Sequence, residues 1–599
     1  MQVVLILSVV LLFGCSTKTT TTAGEDPNSP TYQGPAETTY CSTPVSYSGS
    51  TVTISGTAQY LRREVWGTSG SGGLGGASTG STHPATLNPI RRAEVRVLGP
   101  TGTVTQCAET DNSGGFSFVL PTSSVSTHTI YVNSRASNTY LKASVLNKPA
   151  SNQFYSLTAS FTPDATKTLS AITAPADGAA TGAAFNILDQ LLAANDYLRT
   201  KAGTCAFAGC TSFTVAPKVS AYWMAGFNPN EYFGSTSGLS FYLPTYSRLF
   251  ILGGVSGNLN NSDTDHFDNS VIVHEYGHFL EDVVFKSDSP GGAHNGNKVI
   301  DPRLAWSEGW GNFIQAAVGD DPRYIDTLGN DDGVTSMAFY VDLETPDSHD
   351  APAFLGEGNF REFAVTRTLW DMIDNNADSQ YSGTDNVSDK FVEIWAALTK
   401  TANSFASAST AFRNIGLLHL SQRNLQAHES GTDMSGVRAT NRNSDDEADY
   451  AQYVTAGACA TYSFPKAAGY SSDNGSISNS DLFRNNAFYH IRFAAAGTHT
   501  ILLEYQNANG LTTEKDLDLR VYNDSARIGV SSDIVGLSWV RPDFNWTTVE
   551  TETVTAAFAA GDYLINVNVF TNDAPVTGAV NYTVKLDGVT LCPADLIPP

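Results

Sequence analysis

The chain is poor in positive charge. Its 599 residues contain 34 Lys and Arg against 59 Asp and Glu, a formal net charge of −25. This balance excludes a nucleic-acid binder, which needs a basic footprint, and a protein held on anionic lipid by its charge. Charged residues make up 16% of the chain and hydrophobic residues 41%, which excludes the composition of intrinsic disorder. At roughly 150 residues per domain, the length indicates about four units.

Long apolar runs are also lacking, except at the amino terminus. The run from Val3 to Phe13 is too short to span a bilayer and predicts a secretory signal. Leu-Phe-Gly-Cys at residues 12–15 resembles a bacterial lipobox, which implies acylation of Cys15. Met1-Gln2 departs from that pattern because it carries no Lys or Arg. We predict an exported lipoprotein of the outer membrane or cell surface, retained or released. The alternative is a signal peptide cut elsewhere, without Cys15.

Residues 16–48 are rich in Thr, Pro, Gly and Ser and predict a flexible tether. Export permits disulfides, and without Cys15 six cysteines remain. Their positions suggest three pairs: Cys41 with Cys107, Cys205 with Cys210, and Cys459 with Cys592. The alternative is that some of them are free thiols.

Residues 49–165 have the alternation of half-buried strands at 51–56, 93–98 and 115–120. This order, with a Thr-Asp-x-x-Gly turn at residues 110–114, resembles carboxypeptidase regulatory-like domains, which are small β-sandwiches.

Residues 166–455 contain helical periodicity, with strand patterns between the helices, and predict an α+β domain. The predicted helices lie at 184–198, 269–285, 304–318, 360–375, 388–401 and 407–428.

Residues 456–599 return to strand patterns, at 489–493, 498–503 and 562–567 among others. The order of the segments at 516–522, 552–554, 560–563 and 582–584 resembles the bacterial pre-peptidase C-terminal domain. The predicted fold is therefore multidomain, with a central α+β domain between two all-β sandwich domains.

Residues 274–278 read His-Glu-Tyr-Gly-His, which is the spacing of a metal site. Residues four apart lie on one face of a helix, so His274 and His278 can reach the same ion. Glu275 can then act on a water at that ion. Capping residues at 268–270 and an apolar run predict a buried helix. The alternative is a surface helix with two unrelated histidines.

A catalytic zinc ion usually has three protein ligands and one open position. The candidates for the third ligand are Glu281 on the same helix, His294 in a Gly-rich loop and Glu308 in the next predicted helix. Glu308 is favoured, because a carboxylate from a second helix completes a tetrahedral site. Val284 stands where a metzincin would have its third histidine, which excludes that class.

These motifs resemble a gluzincin metallopeptidase. The pentapeptide at 274–278 and Trp-Ser-Glu-Gly-Trp at 306–310 are similar to fungalysin-like and thermolysin-like relatives. The resemblance implies one catalytic Zn²⁺ held by two histidines and Glu308, with Glu275 as the general base. It implies a zincin fold for the α+β domain.

Three further residues are candidates for supporting roles. The family usually has Asp four residues after the third ligand, whereas this chain has Asn312, whose carbonyl can still accept an imidazole N–H. Tyr340 and His349 lie in the region where a donor to the oxyanion is needed, but a structural role is favoured for both. The sequence lacks a Gly-x-Met-Glu-Asn exopeptidase run, so the resemblance implies an endopeptidase of extracellular proteins or peptides.

Acidic clusters at 263–268, 331–332 and 445–449 make Ca²⁺ a second candidate metal, with solvated loops as the alternative. The expected partner is a protein or peptide substrate. We expect a monomer that binds no nucleic acid and meets the membrane only through its lipid anchor. Two rival hypotheses are a surface binding or adhesion lipoprotein with an inactive zincin domain, and a zinc hydrolase of a non-peptide substrate.

Overall fold

The computed structural model describes residues 26–593 with internal gaps, and it is multidomain with many β-sheets and fewer helices. The gaps are residues 69–70, 78–79, 258, 261, 288, 290, 292–293, 295, 297–299, 301, 330–337, 345–358, 360, 377–386, 400–412, 425–431, 442–450, 457–463, 467–485, 507–515, 523–526, 532–548 and 571–579. The predicted signal with Cys15, Cys459, His349 and the acidic clusters at 331–332 and 445–449 lie outside the described residues. No helix in the described part combines the length and apolar content needed to cross a bilayer.

The amino-terminal part is built from short strands around one long strand. They are β1 (Thr51–Arg62), β2 (Val65–Thr68), β3 (Ser71–Leu74), β4 (Thr86–Pro89), β5 (Glu94–Leu98), β6 (Val104–Glu109), β7 (Gly115–Pro121), β8 (His128–Asn133), β9 (Arg135–Ser137), β10 (Lys142–Leu146), β11 (Ser156–Phe161), β12 (Lys167–Thr168) and β13 (Ile172–Ala174). Alternate residues of β1 are buried, and β1 pairs antiparallel with β7, which places Ile54 opposite Phe118. A second sheet has the order β11-β8-β5-β6. Ile54 of the first sheet and Val95 of the second belong to the same core.

The central part contains the helices. The elements are α1 (Thr181–Ala202), β14 (Val219–Tyr222), a 3₁₀ helix (Pro229–Phe233), β15 (Phe241–Leu243), β16 (Arg248–Phe250), α2 (Asn269–Leu280), a π-helical turn (Glu281–Phe285), α3 (Pro302–Gly319), β17 (Arg323–Thr327), β18 (Ala338–Asp342), α4 (Glu362–Asp371), α5 (Phe391–Thr399), α6 (Ile415–Asn424) and α7 (Thr432–Asn441). The helix predicted at 269–285 is thus α2 followed by the π-helical turn.

One sheet connects the amino-terminal and central parts. Its order is β15-β16-β14-β10-β9, with β10 and β14 parallel and Ser144 opposite Ser220. Strands from both sides of residue 165 therefore lie in a single sheet. The apolar core is also shared, because Ile54 of β1, Leu191 of α1 and Phe279 of α2 belong to one cluster.

The carboxy-terminal part is a β structure with a separate core. Its strands are β19 (Ala451–Ala456), β20 (Phe464–Lys466), β21 (Asn486–Phe493), β22 (Gly497–Gln506), β23 (Asp516–Tyr522), β24 (Arg527–Ser531), β25 (Glu550–Phe558), β26 (Gly561–Phe570), β27 (Val580–Leu586) and β28 (Val589–Pro593). They pair in the order β24-β23-β26-β21-β19-β28-β27-β22-β25, with β20 on β27. Leu519 near one end of this order and Ile501 near the other share one core, so the sheet folds over on itself.

The described residues form two disulfides, and both match predicted pairs. Cys41–Cys107 joins the segment before β1 to β6, and Cys205–Cys210 closes a short loop after α1. Cys592 in β28 is not bonded to any cysteine that the structure describes. Its predicted partner, Cys459, is in a gap, so the third pair stays a prediction.

Candidate metal centre

Helix α2 presents two histidines on one buried face. His274 and His278 are 8% and 9% exposed, and their Nε2 atoms lie 3.1 Å apart. The helix is held in the core by apolar neighbours such as Ile272 and Phe279, both fully buried. Residues four apart on a helix share a face, so the local fold already aims both rings at one point.

Helix α3 supplies a carboxylate to the same point. Oε2 of Glu308 lies 3.3 Å from Nε2 of His274 and 3.4 Å from Nε2 of His278. Atoms bound to one zinc ion at about 2.1 Å in a tetrahedron are separated by about 3.4 Å. The three atoms therefore have the spacing of a three-ligand site with a fourth position open.

Two glycines allow α2 and α3 to approach this closely. A Cβ on Gly277 would lie 2.7 Å from Ile314 Cγ2, and one on Gly311 would lie 2.8 Å from Cε1 of His274. Trp310 fixes the crossing, since its Nε1 donates to the carbonyl of Gly277 at 3.1 Å. Gly277 of the first motif, and Gly311 directly after the second, thus have a packing reason.

Each histidine is oriented from behind. Nδ1 of His274 lies 3.0 Å from Oδ1 of Asn312, the position predicted for this support. Nδ1 of His278 lies 3.3 Å from Oγ of Ser307, which donates to Glu281 at 2.6 Å. Glu281 is buried behind His278 on its Nδ1 side and does not lie where the other three side chains converge.

Glu362 and His294 extend the network on the Asn312 side. Asn312 Nδ2 donates to Oε1 of Glu362 at 2.7 Å, and Oε2 of Glu362 lies 2.9 Å from Nδ1 of His294. Nε2 of His294 lies 3.5 Å from Oε1 of Glu308, which closes a ring of contacts. Sequence reasoning disfavoured His294 as a ligand because its loop is rich in Gly, and no local pattern indicated Glu362 as its partner.

The charges at the site favour a bound cation. Burial alone would raise the pKa of Glu308, but His294 and His278 outweigh it and hold that pKa well below its usual range. Burial also opposes a charged His278, yet Glu308 and Glu281 raise its pKa well above the usual value. Burial raises the pKa of Glu275, and the nearby Glu308 adds to the increase. The network contains the carboxylates of Glu275, Glu281, Glu308 and Glu362 and three imidazoles, and with neutral imidazoles this is an excess of negative charge that a divalent ion would neutralise.

The predicted position of Tyr340 needs a correction. In the β17–β18 pair, Ile325 is opposite Tyr340 and Tyr324 is opposite Val341. Neighbouring residues of a strand point to opposite faces, so Tyr340 faces away from the side that carries Tyr324. The ring of Tyr324 packs edge-on against His274, with centroids 6.0 Å apart. Tyr324 is therefore the tyrosine next to the site, and nothing in its local sequence distinguishes it from Tyr340.

Residues 245–415 match the family model of the mycolysin C-terminal domain. The matched range contains α2, α3 and all the residues of the cluster described above. An uncharacterized protein of Archaeoglobus fulgidus is 30% identical over 132 residues, which are 20% of this chain and 33% of that relative. The chain thus spans about a third of the length of the curated relative it matches.

Solved structures share only partial likeness with the chain. The pre-peptidase C-terminal domain of a Bacillus anthracis collagenase is 11% identical with a TM-score of 0.14, over 22% of this chain and 94% of that domain. The CBM35 from Cellvibrio japonicus Abf62 is 17% identical with a TM-score of 0.13, over 23% and 96% of the two chains. TM-scores this low support no conclusion about the fold or the function of this chain. The conclusions from these comparisons therefore rest on the family match. It indicates a peptidase-related, extracellular protein whose residues 245–415 form a peptidase-associated domain.

Proposed function

We propose that this protein is a zinc-dependent endopeptidase that hydrolyses peptide bonds of extracellular proteins. The observation that carries the proposal is the convergence of His274, His278 and Glu308, with all three ligand-atom separations at or below 3.4 Å. Two imidazole nitrogens and one carboxylate oxygen are a donor set that catalytic zinc uses, with one position left for water or substrate. Glu275 on the same helix supplies the base.

The chain's own residues have distinct parts in the reaction. A bound zinc ion would supply a Lewis acid that polarises the attacking water and the scissile carbonyl. Glu275 accepts a proton from the water and returns it to the leaving amine. Burial raises the pKa of Glu275, which makes it a stronger base than an exposed carboxylate. Asn312 and Ser307 hold the two rings, so that little reorganisation is needed during the reaction.

His294 is the proposed donor to the carbonyl oxygen as negative charge develops on it. Its side chain is 29% exposed, so a substrate can reach it, and Nδ1 is fixed on Glu362 at 2.9 Å. The other nitrogen, Nε2, lies 3.5 Å from Oε1 of Glu308, which places it beside the proposed zinc ligand. This assigns to His294 the role for which Tyr340 and His349 were the candidates in the sequence.

The proposal includes the amino-terminal predictions. Acylation at Cys15 would place the folded part outside the cell on a lipid anchor, as a monomer that acts on protein or peptide substrates. The predicted tether of residues 16–48 is too long at its carboxyl end, because the carbonyl of Pro30 accepts a hydrogen bond from Arg248 and Glu37 pairs with Lys218. The endopeptidase assignment is supported by the absence of an exopeptidase motif from the sequence.

The test uses protein that begins after Cys15, purified as wild type and as Glu275→Gln. Zinc content is measured by atomic absorption, and cleavage is measured on casein and on internally quenched peptides blocked at both ends. Glu231→Gln is the matched control, because Glu231 is exposed and far along the chain from the motif. Wild type and control should hold one zinc ion and cleave, whereas Glu275→Gln should keep zinc and lose about 100-fold or more of the rate.

Other outcomes would favour the rival functions. Zinc binding without cleavage of casein or of a peptide library would favour the binding lipoprotein or the hydrolase of a non-peptide substrate. Cleavage of peptides with a free amino terminus only would replace endopeptidase with aminopeptidase. Absence of zinc from both proteins would overturn the metal site itself.

A further inference from the structure

Three carboxylates outside the zinc centre converge inside the central part. Asp263 and Asp265 precede α2, Asp326 lies in β17, and one ligand atom from each lies within 4.8 Å of the other two. Asp265 is 3% exposed. In each of the three residues Oδ1 is buried and accepts no hydrogen bond from any residue that the structure describes.

The surroundings of the three carboxylates do not neutralise them. The charged groups that act most strongly on Asp265 are Asp326 and Glu275, both acidic, and its side-chain hydrogen bonds are with Ser240 and with Asp263 of the same cluster. Burial, reinforced by Asp265 and Asp326, raises the pKa of Asp263 to about 11, and burial raises the pKa of Asp326 to about 7. Burying acidic groups without partners is costly unless a cation binds them.

We propose that Asp263, Asp265 and Asp326 form a Ca²⁺ site that is separate from the zinc centre. All the donors are oxygens, which favours a hard cation, whereas the imidazoles of the first site favour zinc. Ca²⁺ accepts irregular sets of carboxylate oxygens, whereas Mg²⁺ keeps several waters and binds poorly in a cage made by protein alone. The three Oδ1 atoms that accept no hydrogen bond from a described residue are the oxygens that would coordinate the ion.

The position of the site gives it a structural role. Asp268, three residues after Asp265, begins α2 and accepts hydrogen bonds from the backbone N–H and hydroxyl of Thr327, which follows Asp326. A cation on Asp265 and Asp326 therefore joins the segment before α2 to β17. Tyr324, two residues before Asp326, packs on His274. Ca²⁺ binding should thus stabilise the beginning of the helix that carries both zinc ligands.

The test is made in zinc-loaded Glu275→Gln protein, which excludes self-digestion as a cause of apparent instability. After Ca²⁺ is removed on a chelating resin and zinc is restored, Ca²⁺ and Mg²⁺ are titrated separately by calorimetry, and thermal midpoints are recorded. Asp265→Asn and Asp326→Asn are compared with Asp177→Asn, which removes one exposed acidic charge in front of α1. Binding is measured directly, so the result does not depend on peptidase activity.

We expect one Ca²⁺ per chain and a rise of at least about 5 °C in the thermal midpoint at saturation, with a much smaller effect of Mg²⁺. Asp265→Asn and Asp326→Asn should each weaken Ca²⁺ binding at least tenfold, and Asp177→Asn should not. Without Ca²⁺, Asp265→Asn should melt at or above its parent, because a repulsive charge has been removed. Absence of Ca²⁺ binding at millimolar concentration, or equal binding by Asp265→Asn and its parent, would overturn the proposal.

Discussion

Nδ1 of His274 lies 3.0 Å from Oδ1 of Asn312, so an amide and not a carboxylate supports this zinc-ligand candidate. The other side of the amide donates to Glu362 at 2.7 Å. The metallopeptidase family that the sequence resembles usually has an Asp at the position of Asn312, directly behind the histidine. Here the carboxylate is that of Glu362, and Asn312 lies between it and the histidine. The Asn312 amide lies between the Glu362 carboxylate and the imidazole of His274 and links the two groups by its hydrogen bonds.

This relay predicts the behaviour of Asn312→Asp. The new carboxylate would face Glu362 in a buried position, so we expect the single variant to bind zinc about 10- to 100-fold more weakly. Asn312→Asp combined with Glu362→Gln should recover most of the loss, because one charge and one amide are again present. Zinc affinity is measured by competition with a chelator. Equal affinity of wild type and Asn312→Asp would contradict the relay.

His294→Gln tests the role of the loop histidine. If His294 is a donor to the carbonyl oxygen, kcat should fall about 100-fold while zinc content and KM change little. Loss of zinc together with activity would instead make His294 a ligand. Replacement of a half-buried histidine of the carboxy-terminal part, His499→Gln, is the control and should leave kcat, KM and zinc content unchanged.

Gly311→Ala tests the close crossing of α2 and α3. The added methyl group would lie within 3.0 Å of three ring atoms of His274, so the ring must move. We expect at least a tenfold loss of zinc affinity and a lower thermal midpoint. Gly319→Ala is a matched change in the same helix, where a Cβ meets no atom within 4 Å, and it should be neutral or slightly stabilising. Equal zinc affinity of the two variants would show that the crossing tolerates a side chain.

Glu94→Gln tests a buried ion pair far from the metal centre. Glu94 is fully buried and accepts from Nε of Arg135 at 2.6 Å and Nη2 at 2.9 Å. Breaking the pair should cost about 3 to 5 kcal/mol in the free energy of unfolding. Burial works to raise the pKa of Glu94, but Arg135 and Asn133 outweigh it and lower that pKa below 4.5.

The sign of the pH effect follows from this lowered pKa. The stabilisation by Glu94 is complete above pH 4.5 and is lost as the pH falls through the folded-state value. The difference between wild type and Glu94→Gln in urea unfolding should therefore be largest at neutral pH and shrink in acid. A difference that stays constant from pH 7 to pH 3 would show that the pair is not the cause.

The sequence predicted those parts of the site that depend on local geometry. His274, Glu275 and His278 lie within two turns of one helix, and the apolar pattern defined that helix correctly. Glu308 followed from chemistry, since a carboxylate from a second helix can complete a tetrahedral site with two histidines. Glu362 and Tyr324 were missed because their positions depend on how α4 and β17 pack, and neither has a spacing that marks it. Tyr340, a candidate in the sequence, lies on the opposite face of the β17–β18 pair from Tyr324, and the alternation along these strands decides which tyrosine is next to the site.

The structure contains most of the predicted strands and helices. The sequence did not predict the sheet that joins the amino-terminal and central parts through β10 and β14. Patterns at 51–56 and 115–120 became β1 and β7, and the pattern at 304–318 became α3. The parallel pairing of β10 with β14 joins segments separated by a whole helix, and no period in the sequence reports such a pairing.

That shared sheet has a consequence for how the chain unfolds and evolves. A cut between residues 165 and 181 would leave β14 without β10 and would expose apolar residues on both fragments. The amino-terminal and central parts should therefore melt in one cooperative transition, while the carboxy-terminal part, with its own core, melts in another. Recombination can add or remove the carboxy-terminal part as a module. The amino-terminal and central parts must be inherited together.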